Sequence, residues 1–352
     1  MTTRAMNPLD PNSFKHRFSF VNGITYHYVD EGKEDSDSII LLHGFPDLWY
    51  GWRYQIPHLV SKGYRVIVPD LRGYGQTEAP KCPPNDLHIY GFKNVCKDLT
   101  ELMSQLKIKS SIFIGHDWGG FLAWRMCIHH PERVKAVLEV NVRFSLQHLH
   151  PLHAPKRELY CTRISGRNSS ESAIPSLFVA PEGRDRIRQQ CSKSEAYLKA
   201  VFRSSQPEDY VQLFDGKNMM GNLVDGLQRS PLISQQELDY YAAQYKNHGF
   251  HGGLNWYKTR KVNYQDEKGA RKQIHNQALM ITVGKDLHIP PSMSNNMHKF
   301  CKDLTVKHIE DAGHWVMIEK PQQLHEYLDE FLENVKNKEL NAADRKGRKA
   351  RL

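Results

Sequence analysis

The sequence predicts an α/β fold: a mostly parallel sheet flanked by helices and interrupted by an inserted helical lid. Short apolar runs alternate with amphipathic stretches through the first 140 residues, the pattern of strands covered by helices. Between Asn141 and Gln273 the strand signal gives way to polar, Gly-punctuated and helical stretches. Near residue 275 the strand-helix alternation resumes, so the insertion lies within one sheet rather than after it.

The elements follow in order. Ile24 to Asp30 alternates like an exposed early strand, whereas Ser38 to Leu42, Arg65 to Pro69, Ser111 to Ile114 and Val134 to Val140 are aliphatic runs suited to strands buried on both faces. Helices are expected at Trp49 to Lys62, Tyr90 to Leu106 and Phe121 to His130, the last stopped by Pro131. Within the insertion, Ser234 to Asn247 reads as a helix and Glu208 to Gly221 as a polar connection. Ala278 to Val283 and Leu304 to Ile309 are strands, Pro290 to Phe300 can form a helix, and Pro321 to Val335 is amphipathic. The chain thus divides into residues 1–142 and 274–337 of the core, a lid at 143–273 and a basic tail at 338–352.

Composition narrows the function classes. The chain has 352 residues, 39% hydrophobic and 25% charged, which suits a globular protein with a large core. No apolar run is long enough to span a membrane, and Met1 to Phe20 lacks the apolar stretch of a signal peptide, so neither a membrane-spanning nor a secreted protein is expected. Cys82, Cys96, Cys127, Cys161, Cys191 and Cys301 form no C-x-x-C pair and no metal-spaced set with histidine. Free thiols are expected, with no metal and no cofactor. The net charge of +9 includes a net +4 in Lys338 to Leu352. A charge excess of which nearly half sits at one end reads as a solvated tail, so no nucleic-acid partner is expected.

The chemistry is carried by Ile112-Phe113-Ile114-Gly115-His116-Asp117-Trp118-Gly119-Gly120, a buried strand running through small-x-Asp-x-small into a helix. Small residues two before and two after the central one permit a tight, strained turn that lifts the central side chain over the sheet as a nucleophile. In such sheets the acid and the histidine follow, each on a loop after a later strand. Asp286 follows the strand Ala278 to Val283, and His314 follows Leu304 to Ile309. Asp286 is expected to orient the imidazole and stabilise its charged form. Backbone N–H groups of Phe45, after the strand ending in Leu42-His43-Gly44, and of Trp118 are placed to form an oxyanion hole.

A carboxylate nucleophile restricts the reaction. Attack on an acyl group would give a high-energy anhydride, whereas attack on an electrophilic sp³ carbon gives an ordinary ester that water can hydrolyse. The substrate is therefore an alkylating agent whose leaving group is oxygen or halide.

His-Gly-Phe-Pro at His43 to Pro46 with Trp49 and Trp52, Asp70-Leu71-Arg72-Gly73-Tyr74-Gly75, the Asp117 elbow and Gly313-His314-Trp315 together resemble the α/β-hydrolase-fold epoxide hydrolases. The resemblance covers roughly residues 14 to 142 and 178 to 335. It implies the α/β-hydrolase fold with a lid (cap) domain and hydrolysis of a small-molecule epoxide by water through an Asp117 ester. It also implies a pocket including His43, Pro46, Trp256 and Trp315. In that family two lid tyrosines hold and protonate the epoxide oxygen. Gly253-Leu254-Asn255-Trp256-Tyr257 resembles the segment bearing the second, making Tyr257 the acid. At the first, before Pro181-Glu182-Gly183, Ile174 stands where tyrosine is expected, and the stretch from about Arg143 to Pro175 is unlike the family. Tyr160 and Tyr197 are candidate substitutes.

A haloalkane or haloacid dehalogenase shares the Asp nucleophile, but Phe45 offers no side-chain donor to a halide, and a halide needs no proton from Tyr257. A weakly catalytic ligand-binding homologue is the remaining alternative, since a fold does not guarantee its usual activity. The end of the chain, Ala350-Arg351-Leu352, resembles a variant of the Ser-Lys-Leu signal read by the peroxisomal import receptor. It implies a cytoplasmic protein with a possible peroxisomal destination, and upstream basic residues that keep the tail extended.

Overall fold

The computed structural model describes residues 5–141, 194–206, 208–209, 227–270, 273–286 and 291–349. The strands are β1 (His16–Val21), β2 (Ile24–Glu31), β3 (Ser38–Leu42), β4 (Arg65–Pro69), β5 (Ser111–His116), β6 (Val134–Val140), β7 (Gln277–Val283) and β8 (Leu304–Ile309). They form one eight-stranded sheet in the order β1-β2-β4-β3-β5-β6-β7-β8. Only the β1–β2 and β2–β4 pairings are antiparallel, so β2 alone runs against the others. Every residue of β3, β4 and β5 is buried, as expected of aliphatic runs covered on both faces.

Helices α1 (Gln55–Ser61), α2 (Phe92–Gln105) and α3 (Trp118–His129) connect the first half of the sheet. The described part of the insertion is helical: α4 (Ser194–Val201), α5 (Gln235–His248), α6 (His251–Trp256) and α7 (Arg260–Glu267). A capping box starts α5, in which Ser234 accepts from the Glu237 backbone and Glu237 accepts from the Ser234 backbone. Short α8 (Val316–Glu319) and long α9 (Pro321–Lys349) close the fold.

Several expectations are corrected. Strand β1 was not anticipated: its Phe18 and Phe20 are 55% and 68% exposed, so an edge strand carries no core-facing signature here. Strand β2 is mostly buried rather than exposed, because both its faces are covered. Tyr26 donates its hydroxyl to Asp98 of α2 at 2.7 Å, while His27 on the opposite face bonds Asp70 at 2.7 Å. The helix expected over Trp49 to Lys62 is a 3₁₀ turn at Trp49–Trp52 followed by α1, which begins two residues before Pro57, where a missing N–H costs nothing. Pro290 to Phe300 forms two 3₁₀ turns, Pro291–Ser294 and Met297–Lys299, in a stretch whose Ser and Asn side chains compete for backbone groups.

The tail also differs from its expected extended form. Leu324, Leu328, Phe331, Leu332 and Val335 anchor α9 in the core, and the helix then continues to Lys349. Alanine, lysine, arginine and glutamate favour that continuation, and Lys338 pairs with Asp303 at 2.8 Å. Among the described residues, no helix is long and apolar enough to cross a membrane, and no group of three potential ligands converges on a metal position. Cys82, Cys96, Cys127 and Cys301 are free thiols; Cys161 and Cys191 lie outside the described residues.

Candidate active site

Strand β3 lies between β4 and β5, so chain order reverses there and a crevice opens at the carboxyl ends of the strands. Phe45, Asp117, Asp286 and His314 all lie just past such ends, those of β3, β5, β7 and β8. Residues distant in sequence thereby meet at one rim.

Asp117 occupies the turn between β5 and α3 at φ 51°, ψ −123°. That left-handed conformation is strained for a residue with a Cβ and is held by its surroundings. The flanking glycines explain the small-x-Asp-x-small pattern: a Cβ on Gly115 would lie 2.3 Å from the Gly119 carbonyl oxygen, and one on Gly119 would lie 2.1 Å from that of Leu42. The Phe45 amide donates to Asp117 Oδ1 at 2.9 Å, and the Trp118 amide also donates to this carboxylate. Desolvation raises the Asp117 pKa, opposed by the His314 charge and these two amides. A carboxylate stripped of water is the more reactive nucleophile.

His314 Nδ1 bonds Asp286 Oδ2 at 2.7 Å. The Asp286 side chain is fully buried, whereas that of His314 retains 15% exposure. Burial alone would lower the His314 pKa. The charge and hydrogen bond of Asp286 outweigh it and, with Asp117 and Glu319 adding to them, raise it to about 9.

Further residues that the sequence reading missed hold this pair. Asn141, at φ 54° after β6, donates Nδ2 to Asp286 Oδ2 and lies 3.5 Å from His314 Nδ1. His116 Nε2 donates to the His314 carbonyl at 2.9 Å, which fixes the histidine loop against the elbow. Glu319 accepts from the amides of Gly313 (3.0 Å) and Trp315 (3.2 Å), bracketing His314. Asn141 had a usable signal, since it sits just past a buried strand like the other site residues. His116 had none, because it acts through a backbone group of a remote loop, and Glu319, four and six residues after the amides it accepts from, has no pattern that marks it.

Tyr257 caps α6, and its ring meets Trp118 at 4.8 Å and Phe45 at 5.6 Å, both edge-to-face. Burial and then the Asp117 charge raise its pKa well above the ordinary phenol value, with a hydrogen bond from the Trp118 side chain opposing them. It stays protonated and able to donate. Trp118 therefore contributes through its indole as well as its backbone.

Tyr197 of α4 packs on Phe250 at 4.7 Å and on Phe45 at 6.3 Å, which places this candidate substitute in the same aromatic wall. Ile174 and Tyr160 lie outside the described residues. Of the expected pocket residues, His43 is buried with both ring nitrogens engaged, Nδ1 donating to Gly44 O and Nε2 accepting from Leu71 N. Pro46 is buried beside it. The Trp256 indole donates to Arg72 O, and that of Trp315 donates to Val201 O, 5.0 Å from the His314 ring.

The family model for the alpha/beta hydrolase fold matches residues 37–163 and 178–321. Epoxide hydrolase srdG of Neurospora crassa is 32% identical, the match covering 95% of this chain and 99% of that protein. The chain belongs to the α/β-hydrolase-fold epoxide hydrolase family. Bifunctional epoxide hydrolase 2 of Rattus norvegicus is 34% identical over 92% of this chain but 56% of its own length. This family member spans only 56–58% of the length of that protein and of its mouse and pig counterparts. Epoxide hydrolase A of Mycobacterium thermoresistibile superposes with a TM-score of 0.73 at 27% identity, covering 91% of this chain and 98% of that one. VrEH1 of Vigna radiata gives 0.76 at 25% identity, covering 92% and 99%. The hydrolase fold thus accounts for the sheet, and these matched proteins of comparable length align over most of the chain.

Proposed function

We propose that this protein hydrolyses epoxides to vicinal diols in two steps. The Phe45 amide holds Asp117 Oδ1, which leaves Oδ2 as the attacking atom. Oδ2 bonds to an epoxide carbon, the ring C–O bond breaks, and Tyr257 delivers its proton to the departing oxygen. The product is an alkyl ester on Asp117 with a free hydroxyl beside it.

Alkylation removes the Asp117 charge, one of the causes that raise the His314 pKa. The imidazole then releases its proton more readily and can act as a base. It takes a proton from water; the hydroxide attacks the Asp117 carboxyl carbon, and the Phe45 and Trp118 amides hold the tetrahedral oxygen. Collapse breaks the ester C–O bond, the leaving alkoxide takes the second water proton from the Asp117 carboxyl to complete the diol, and the proton on His314 replaces the one Tyr257 gave up. The observation that carries this reading is a carboxylate at a strained elbow with one oxygen already in the oxyanion hole and a neutral phenol facing it across Phe45 and Trp118.

The test is a single turnover of an aryl-substituted epoxide in ¹⁸O-water with enzyme in excess. The first diol should be unlabelled, and the label should appear in the tryptic peptide containing Asp117, because the oxygen transferred is the carboxylate's own. Label in the first diol would mean direct attack by water and would reject the ester. Release of halide from a haloalkane, without diol from any epoxide, would instead make the protein a dehalogenase.

The terminal Ala350-Arg351-Leu352 is proposed to direct the protein to peroxisomes as well as the cytosol, by binding the import receptor. Helix α9 continues beyond the core residue Val335 to Lys349. Residues 338–352 fused behind a fluorescent protein should give a punctate peroxisomal signal that is lost when the fusion stops at Ala350. A diffuse signal from both fusions would leave the cytosol alone.

A further inference from the structure

Tyr74 lies in the loop after β4 and is 1% exposed. Its ring is fixed edge-to-face against His43 at 4.8 Å, Trp256 at 5.8 Å and Phe45 at 6.3 Å. Its hydroxyl finds no hydrogen-bond partner among the described residues. A buried hydroxyl left unpaired costs stability, and phenylalanine would fill the same space without that cost. Such a group calls for a partner that appears only at some stage of the reaction.

Gly253 of α6 shows which turn the edge of the Tyr74 ring packs against. A Cβ there would lie 2.6 Å from Phe45 Cδ2 and 2.9 Å from Tyr74 Cε1, the ring carbon next to the one that bears the hydroxyl. Tyr257 is four residues later, on the same face of the helix, and helical side chains lean toward the N-terminus over the preceding turn. Its ring accordingly packs on Phe45, as that of Tyr74 does. Besides burial, the charges of Tyr245, Tyr257 and Asp117 are the leading influences that push the Tyr74 pKa up, so this phenol keeps its proton. Tyr245 already donates its own hydroxyl to the Asp47 carbonyl at 3.4 Å. Tyr257 is left as the group on which charge develops.

We infer that Tyr74 is a positioning residue for Tyr257, its hydroxyl donating a hydrogen bond to the Tyr257 phenol oxygen as that oxygen gives its proton to the epoxide. The inference rests on the function proposed above. In this step the Tyr257 O–H bond breaks and its proton goes to the departing ring oxygen. Tyr74 keeps its own proton and stabilises the phenolate, and the His314 imidazolium later returns the proton to Tyr257. A donor that stays neutral and lies near a developing charge stabilises that charge as it forms.

The test is a double-mutant cycle on Tyr74→Phe and Tyr257→Phe, read as single-turnover ester formation and ester hydrolysis. Tyr257→Phe should slow ester formation roughly a hundredfold. Tyr74→Phe should slow it about tenfold, leave ester hydrolysis unchanged, and keep or raise the Tm. In the Tyr257→Phe background, Tyr74→Phe should have no further effect on ester formation. The same loss in both backgrounds, or no loss in either, overturns the inference.

A readout independent of turnover is the ¹⁹F titration of 3-fluorotyrosine incorporated at position 257. Its midpoint should rise when Tyr74 is replaced by phenylalanine, and an unchanged midpoint overturns the inference. Wild-type protein that forms no ester counts against the proposed function, while this titration still decides the role of Tyr74.

Discussion

Asp117→Ala and Asp117→Asn, assayed in fresh protein, should reduce diol formation by roughly 10⁴ or more, as expected for loss of a covalent nucleophile. Alanine removes the oxygen that forms the ester. Asparagine keeps the shape and the contact with the Phe45 amide, which holds Oδ1 at 2.9 Å in the native chain, but offers a neutral amide in place of the attacking carboxylate. The comparison therefore separates charge from shape. Neither variant should lose its fold, because both remove the desolvation cost of the buried carboxylate and keep the Cβ that the elbow already accommodates. Diol formation by both variants near the native rate, measured before any deamidation, would remove Asp117 from this role.

His314→Gln should release no more than about one equivalent of product per enzyme and then stop, because Asp117 can still be alkylated while no base remains to activate water. Intact-protein mass spectrometry should find the adduct, and peptide mapping should place it on Asp117. Steady turnover near the native rate would reject the assignment.

The native enzyme adds a pH test with a defined sign. The His314 pKa is raised to about 9 with Asp117 ionised, so the imidazole is mostly protonated at neutral pH in the resting state. Hydrolysis needs the neutral form. Its rate should therefore rise with pH and level off at a midpoint below that of the resting enzyme, since the ester has removed the Asp117 charge. A hydrolysis rate that falls as pH rises through this range would mean that His314 does not act as the base.

The candidate site was more legible than several structural elements, for a physical reason. The elbow announces itself locally, because the crowding of Gly115 and Gly119 against backbone carbonyls limits side-chain size within five consecutive residues. Asp286 and His314 could be located by their order after the buried strands β7 and β8, whose apolar runs are also local. Edge strand β1 and the irregular turns from Pro291 to Lys299 lacked such patterns. What they become depends on packing partners far away in the chain.

Sequence by itself determined the strand runs, the candidate nucleophile and hence the proposed class of electrophile, because strand periodicity, turn crowding and carboxylate chemistry are properties of short segments. Tertiary structure decided which Asp117 oxygen accepts from the Phe45 amide. It also brought Asn141, His116 and Glu319 around the Asp286–His314 pair, and packed the edge of the Tyr74 ring against the α6 turn that precedes Tyr257. Those relations join residues up to 198 positions apart, as between His116 and His314. Hydrogen bonds and charge interactions act over a few ångströms of space whatever the separation along the chain, so only the folded sheet and its lid could establish them.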